Sequence, residues 1–131
     1  MRKMTPLTWA TGVVVVLAMI AALAVRTSGQ GETITVTGTL IDLYCYAQDK
    51  NDTGMNHGQE KECAWACVKY TGMPVGVLTA EGRTYEITGS WVANNNAKIA
   101  QYITQKARVT GPVSLRDGMA TINATELVPL K

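Results

Sequence analysis

Val75 to Thr88 reads VGVLTAEGRTYEIT. Two short apolar, β-branched runs, Val75–Thr79 and Arg83–Thr88, flank Ala80-Glu81-Gly82, and the glycine permits the tight reversal a hairpin needs. The hairpin is the reference point for the rest of the chain. Upstream, TITVTGTLIDL from Thr33 alternates apolar and polar, with Ile34, Val36 and Leu40 on one face, as in a half-buried strand. Downstream, Asn94-Asn95-Asn96 is expected to cap a short helix through about Tyr102, in which Ile99 and Ile103 share a face. Ala107–Leu115 and Met119–Val128 then form a second hairpin about Arg116-Asp117-Gly118.

The order strand, insertion, strand, strand, helix, strand, strand predicts a mainly β protein, a five-stranded barrel with helices that resembles an OB-fold over Thr33 to Leu127. A small open antiparallel sheet with two helices is the alternative. The insertion, residues 45–72, falls between strands 1 and 2. The expected domain is 33–131, preceded by a linker over 27–32 and a separate segment, 1–26.

That first segment carries Arg2 and Lys3, then an uncharged run from Leu7 to Val25. Nineteen residues at about 1.5 Å each reach about 28 Å, enough to span a bilayer as a helix. Val13 to Val25 also has the length of a signal-peptide core, and Ala22-Leu23-Ala24 offers a cleavage site. The long run favours an anchor. Either form places the rest of the chain outside the cytoplasm, in the periplasm or on the extracellular face of the envelope, and the anchor form holds it to the inner membrane by one helix.

Three of the twelve basic residues lie in this segment, leaving nine against ten acidic groups and a net charge of about −1 for the remainder. Such a balance supplies no excess of phosphate contacts, so nucleic acid is excluded as a partner. The sequons at Asn51 and Asn123 carry meaning only in a eukaryotic secretory pathway. With no catalytic triad, paired carboxylates or phosphate loop, hydrolase chemistry has no carriers.

The chemistry lies in CYAQDKNDTGMNHGQEKECAWAC, Cys45 to Cys67, which holds all three cysteines and the single histidine, His57. Glu60–Tyr70 reads as a helix stopped by Gly72, with Pro74 beyond. On it Cys63 and Cys67 are one turn apart and share a face with Ala66 and Tyr70. Cys45 is expected at the end of the first strand, facing them, with Tyr44 and Tyr46 pointing the opposite way. Three thiolates and an imidazole suit zinc; they also suit copper, with Met55 and Met73 nearby, or an iron–sulfur cluster. His57 can join Cys45, Cys63 and Cys67 as a metal ligand only from the loop, because as the first helical residue it sits about 120° round the axis from Cys63.

Two further readings remain open. Export permits a disulfide between Cys45 and one helical cysteine, giving a stapled structural subunit of a membrane complex with no cofactor. Cys63 and Cys67 could also serve a thiol oxidoreductase, although no C-x-x-C is present. Trp65 is expected to pack the helix on the barrel, and Asp42 to be a polar strand end or a carboxylate behind the ligands.

TGTLIDLYCY, GMNHG, CAWACVKYTGMPVGVL and EGRTYEI together resemble a group of small exported bacterial proteins of poorly defined function. Their shared pattern is G-x-x-x-D-x-x-C, a histidine, C-A-x-x-C and G-x-P-V-G-x-L. The resemblance covers Thr37 to about Ile87. It implies a bacterial envelope protein with the Cys/His set as its centre. The composite expectation is an exported, non-enzymatic metal-binding module, acting in metal handling or as an accessory subunit of an electron-transfer assembly.

Overall fold

The computed structural model describes residues 31–54 and 60–131. The apolar run from Leu7 to Val25, its cleavage site, Met55 and His57 all fall outside the described residues. Among those described, no helix is long and apolar enough to cross a membrane.

Among the described residues, six strands build the fold: β1 (Thr33–Asp42), β2 (Val75–Thr79), β3 (Thr84–Thr88), β4 (Lys106–Arg116), β5 (Met119–Asn123) and β6 (Glu126–Pro129). Helices α1 (Leu43–Gln48) and α2 (Glu60–Tyr70) stand between β1 and β2. β1 pairs antiparallel with β2 through Gly38–Asp42, and with β4 through Thr33–Thr39. β2 pairs with β3, β3 runs parallel to β5, and β5 returns to β4. The circuit β1-β2-β3-β5-β4-β1 is therefore a closed five-strand barrel, mainly β with a few helices. Closure leaves no unpaired edge among these strands.

The hairpins form where the turn residues require, with Gly82 and Gly118 both at φ +80. One departure from expectation lies in the last strand, which is not continuous to Val128. It breaks at Ala124-Thr125, where the amides turn to Thr88 O and Thr110 O, and resumes as β6 against Ala107–Thr110. Gly111 sits under the break. A Cβ there would lie 2.0 Å from the Asn123 carbonyl oxygen, a backbone atom with no freedom to retreat. Gly111→Ala should cost about 1–3 kcal/mol as an overpacking change, read from the denaturant midpoint; an unchanged midpoint would show that the break is pliable.

Alternation along β1 and β4 turns Leu40, Ala107 and Val109 inward, where they meet Val75, Val77, Ile87 and Ile122. Leu115, the last apolar residue of the β4 alternation, is 78% exposed because β4 has left the barrel wall by that point. The core continues into the insertion. Ala64 and Val68 of α2 belong to the same buried cluster, as do Ile99 and Ile103. Helix α2 thus closes one end of the barrel.

The segment expected to be an asparagine-capped helix has another conformation. Asn94, Asn95 and Asn96 all adopt left-handed backbone, with φ of 52, 57 and 60. Asparagine tolerates this region because its short polar side chain bonds locally or to nearby backbone. The segment Ala93–Asn96 is a tight left-handed turn between two short 3-10 turns, Ser90–Val92 and Ala100–Tyr102. Its amides cap a different helix. Asn96 Nδ2 donates to Val68 O at 2.8 Å and to Met73 O at 2.9 Å, and Asn95 Nδ2 donates to Lys69 O. The asparagines therefore hold the C-terminal end of α2 on the barrel.

Candidate metal centre

Asp42 ends β1 and begins the site. Its Oδ1 accepts the amides of Tyr44 at 2.8 Å and Cys45 at 3.3 Å, the N-cap arrangement that starts a helix. Leu43–Gln48 is accordingly helical, so Cys45 lies in the first turn of α1 and not at a strand end. This corrects the expected alternation of Tyr44 and Tyr46 about Cys45. The strand period ends where the carboxylate takes over the backbone donors. Leu43 faces inward and is buried, and its side chain fills the space that a Cβ at Gly76 would need.

The cap brings Cys45 toward α2. Glu60–Tyr70 is helical with the expected boundaries, and Gly72 follows at φ +69. Cys67 is half-buried beside the buried Val68, whereas Cys63, one turn earlier, is exposed. Cys67 lies close enough to both Cys45 and Cys63 for the three sulfurs to influence one another. Three cysteines from two helices therefore converge at the capped end of the barrel, with Cys67 in the middle. The described residues include no disulfide, and no three of their His, Cys, Asp or Glu side chains form a ready-made metal cage. His57, expected as a fourth ligand, falls in the span between Gly54 and α2 that lies outside the described residues.

The electrostatics of the cluster favour the neutral thiols, with the hydrogen bond between Cys45 and Cys67 the one influence that lowers the Cys67 thiol. Burial pushes the Cys45 thiol up to about 12, and the charge of Asp42, its hydrogen bond to the thiol and the charge of Asp52 act in the same direction. Burial likewise raises the Cys67 thiol, with Cys63 and Asp42 adding to the effect. Cys45 and Cys67 are therefore thiols at neutral pH. A reactive redox cysteine needs the opposite environment, one that favours the thiolate, which counts against thiol oxidoreductase chemistry.

Asp42 is the residue of this cluster that a strand-end reading undervalues. Its side chain is 3% exposed, and its second oxygen, Oδ2, accepts from Cys45 Sγ at 3.5 Å. The signal in the sequence is Asp-x-x-Cys at the junction of a strand pattern and a short apolar turn, the spacing of a capping residue and the third helical position. Trp65 meets its expectation. It packs partly buried against the core cluster and stands edge-on to Tyr70, with ring centroids 5.3 Å apart. Lys69 Nζ lies 4.6 Å from the Trp65 ring centre.

No protein-family model, curated protein or solved structure matches the chain, so the cysteine cluster and its carboxylate carry the functional reading on their own chemistry.

Proposed function

We propose that this chain is an exported, non-enzymatic module that binds a transition-metal ion through Cys45, Cys63 and Cys67, on an OB-like barrel facing the cell envelope. The observation that carries the reading is the meeting of three sulfurs from α1 and α2 beside a buried carboxylate. Soft thiolates select zinc, copper or iron–sulfur centres over magnesium or calcium. The ion is completed by a further oxygen or nitrogen donor, for which the sequence offers His57. Metal handling, or an accessory place in a membrane-bound electron-transfer assembly, suits a site formed on a small domain with an apolar N-terminal run.

Metal analysis of the full-length protein, with thiol titration before and after denaturation, tests the reading. One equivalent of metal and three thiols that react only after unfolding are expected. One free thiol and no metal would sink it.

The pH dependence follows from the protons that metal must displace. Cys45 and Cys67 both hold theirs above the ordinary thiol value of 9.0. Below pH 9 each displaced proton adds about a tenfold rise in apparent affinity per pH unit, so the pair should give about a hundredfold. A flat profile between pH 6 and 8 would remove these two thiols from the ligand set. Without metal the sign runs the other way for stability. The folded Cys45 thiol ionises near 12 and the unfolded one near 9.0. Its contribution is therefore complete below pH 9 and lost as pH climbs toward 12.

A second reading rests on the closeness of Cys67 to Cys45. Oxidation of that pair would staple α1 to α2 and leave the exposed Cys63 as the odd thiol. The domain would then be a structural subunit of a membrane complex. An intact mass two hydrogens lower, with Cys63 labelled and the other two cysteines protected, distinguishes it.

A further inference from the structure

The barrel has two unlike ends. One is closed by α2 and carries the cysteines. At the other the β4–β5 hairpin runs on past the barrel wall, leaving Leu115 78% and Met119 42% exposed. Between this hairpin and the β2–β3 turn lies an open groove of about 550 Å³, lined in part by Arg83, Tyr85, Leu115, Met119 and Ala120. Leu115 continues the inward-facing row of Val109 and Val113, and Ala120 is its partner across the hairpin. The mouth of the barrel is therefore apolar and open among the described residues.

The path of the chain indicates what covers it. β1 and β4 are antiparallel, with Thr33 opposite Pro112. Tracing β1 back toward its N-terminus thus leads the same way as following β4 to its hairpin. Val113 N donates to Glu32 O at 3.0 Å, and Gly31 lies so close to the Val113 carbonyl that a side chain has no room there. The chain meets the barrel two residues, or about 7 Å, short of Leu115. Only residues 26–30 separate Gly31 from Val25, the end of the apolar run. Those six steps span at most about 22 Å.

We propose that this mouth is a lipid-contacting surface. Leu115, Met119 and Tyr85 enter the headgroup layer of the bilayer that holds the Leu7–Val25 run, and the cysteine cluster is turned away from it. The inference rests on the anchored form of the reading above, and adds a second membrane contact and an orientation. Around the mouth, Arg83 and Arg116 stand against Glu81, Glu86 and Asp117, and Arg116 is already engaged by Glu86 at 2.7 Å. Two positive groups against three negative ones exert no pull on anionic lipid. The contact is therefore apolar, with the tyrosine ring and the arginine stems suited to the layer between water and hydrocarbon. β1 has ten residues, about 30 Å of strand, between this mouth and Asp42. A partner of the cysteines accordingly approaches from the aqueous phase.

The test uses the full-length protein, one chain per phosphatidylcholine nanodisc, with isotope-labelled methionine methyl groups. A gadolinium chelate carried on a lipid headgroup should erase the Met119 methyl signal. Met73, whose carbonyl is held by Asn96 beside the end of α2, should keep its full intensity. Leu115→Asn, a change at an exposed position, should return intensity to Met119. Replacing phosphatidylcholine with phosphatidylglycerol should leave the loss at Met119 unchanged, and a loss seen only with the anionic lipid overturns the apolar basis. A Met119 signal as strong as that of Met73 overturns the proposal and leaves the anchor standing. A change at Met119 that appears only with two chains per disc assigns the mouth to a second copy, and overturns it as well. Failure of the chain to enter nanodiscs, with an intact mass shortened after Ala24, overturns the anchored reading and the lipid surface together.

Discussion

Cys67→Ser should reduce zinc affinity on the order of 100-fold or more, the largest functional effect expected of any single cysteine. Structural zinc sites draw about 10–16 kcal/mol from four ligands, so one ligand represents about 3 kcal/mol. Cys67 has the most to lose because its sulfur lies near both of the others, whereas Cys63 stands at the exposed rim. Serine fills nearly the same space, but its hydroxyl keeps its proton where a thiol yields it to the metal. Binding isotherms with a competing chelator should rank Cys67→Ser and Cys45→Ser well below Cys63→Ser. Equal losses at all three positions would mean that the exposure of Cys63 does not persist in the metal-bound form. Wild-type affinity in Cys67→Ser would dismiss the cluster as a metal centre.

Asn96→Ala should cost about 3–4 kcal/mol of unfolding free energy, the largest effect on stability. The side chain is 4% exposed and donates to two carbonyls, Val68 O and Met73 O. Alanine leaves both without that donor, at about 1 kcal/mol or more each. It also places a Cβ-bearing residue without local hydrogen bonding at φ 60, at about 1–2 kcal/mol. Asn96→Gly separates the contributions, since glycine accepts the backbone and lacks only the amide. It should therefore recover about 1 kcal/mol of the loss in urea unfolding. Equal values for the two variants would assign the whole effect to the carboxamide. Because these bonds seat α2, either variant should also weaken metal binding.

Much of the barrel was legible because its turns are chemically marked. Gly82 and Gly118 fix the two hairpins, and between them the alternation of β4 is clear. The bounds of α2 were legible for a similar reason, since Gly72 and Pro74 punctuate its end. What escaped the sequence depends on partners distant along the chain. The three asparagines have the composition of a helix cap, but two of them, Asn95 and Asn96, cap α2, more than twenty residues upstream, from a left-handed turn. The break between β5 and β6 answers to Gly111, a dozen residues before it. Spacing alone placed Cys63 and Cys67 on one helix face, and topology placed Cys45 opposite. The helical setting of Cys45 was missed because Asp42 was weighed as a strand residue, when its side chain decides the conformation of the next turn.

Helix α2 contributes Val68 and Ala64 to the barrel core and Cys63 and Cys67 to the sulfur cluster. Neighbours one bond apart in sequence, Cys67 and Val68, face the other two cysteines and the core respectively. On the metal reading, occupancy of the cluster and integrity of the barrel would be linked in one equilibrium. Free metal at a hundred times its dissociation constant would add about 2.7 kcal/mol to the folded state. The same linkage makes a protease a sensor of metal supply, since chains starved of the ion would open more often at the α2 end and be cleared first.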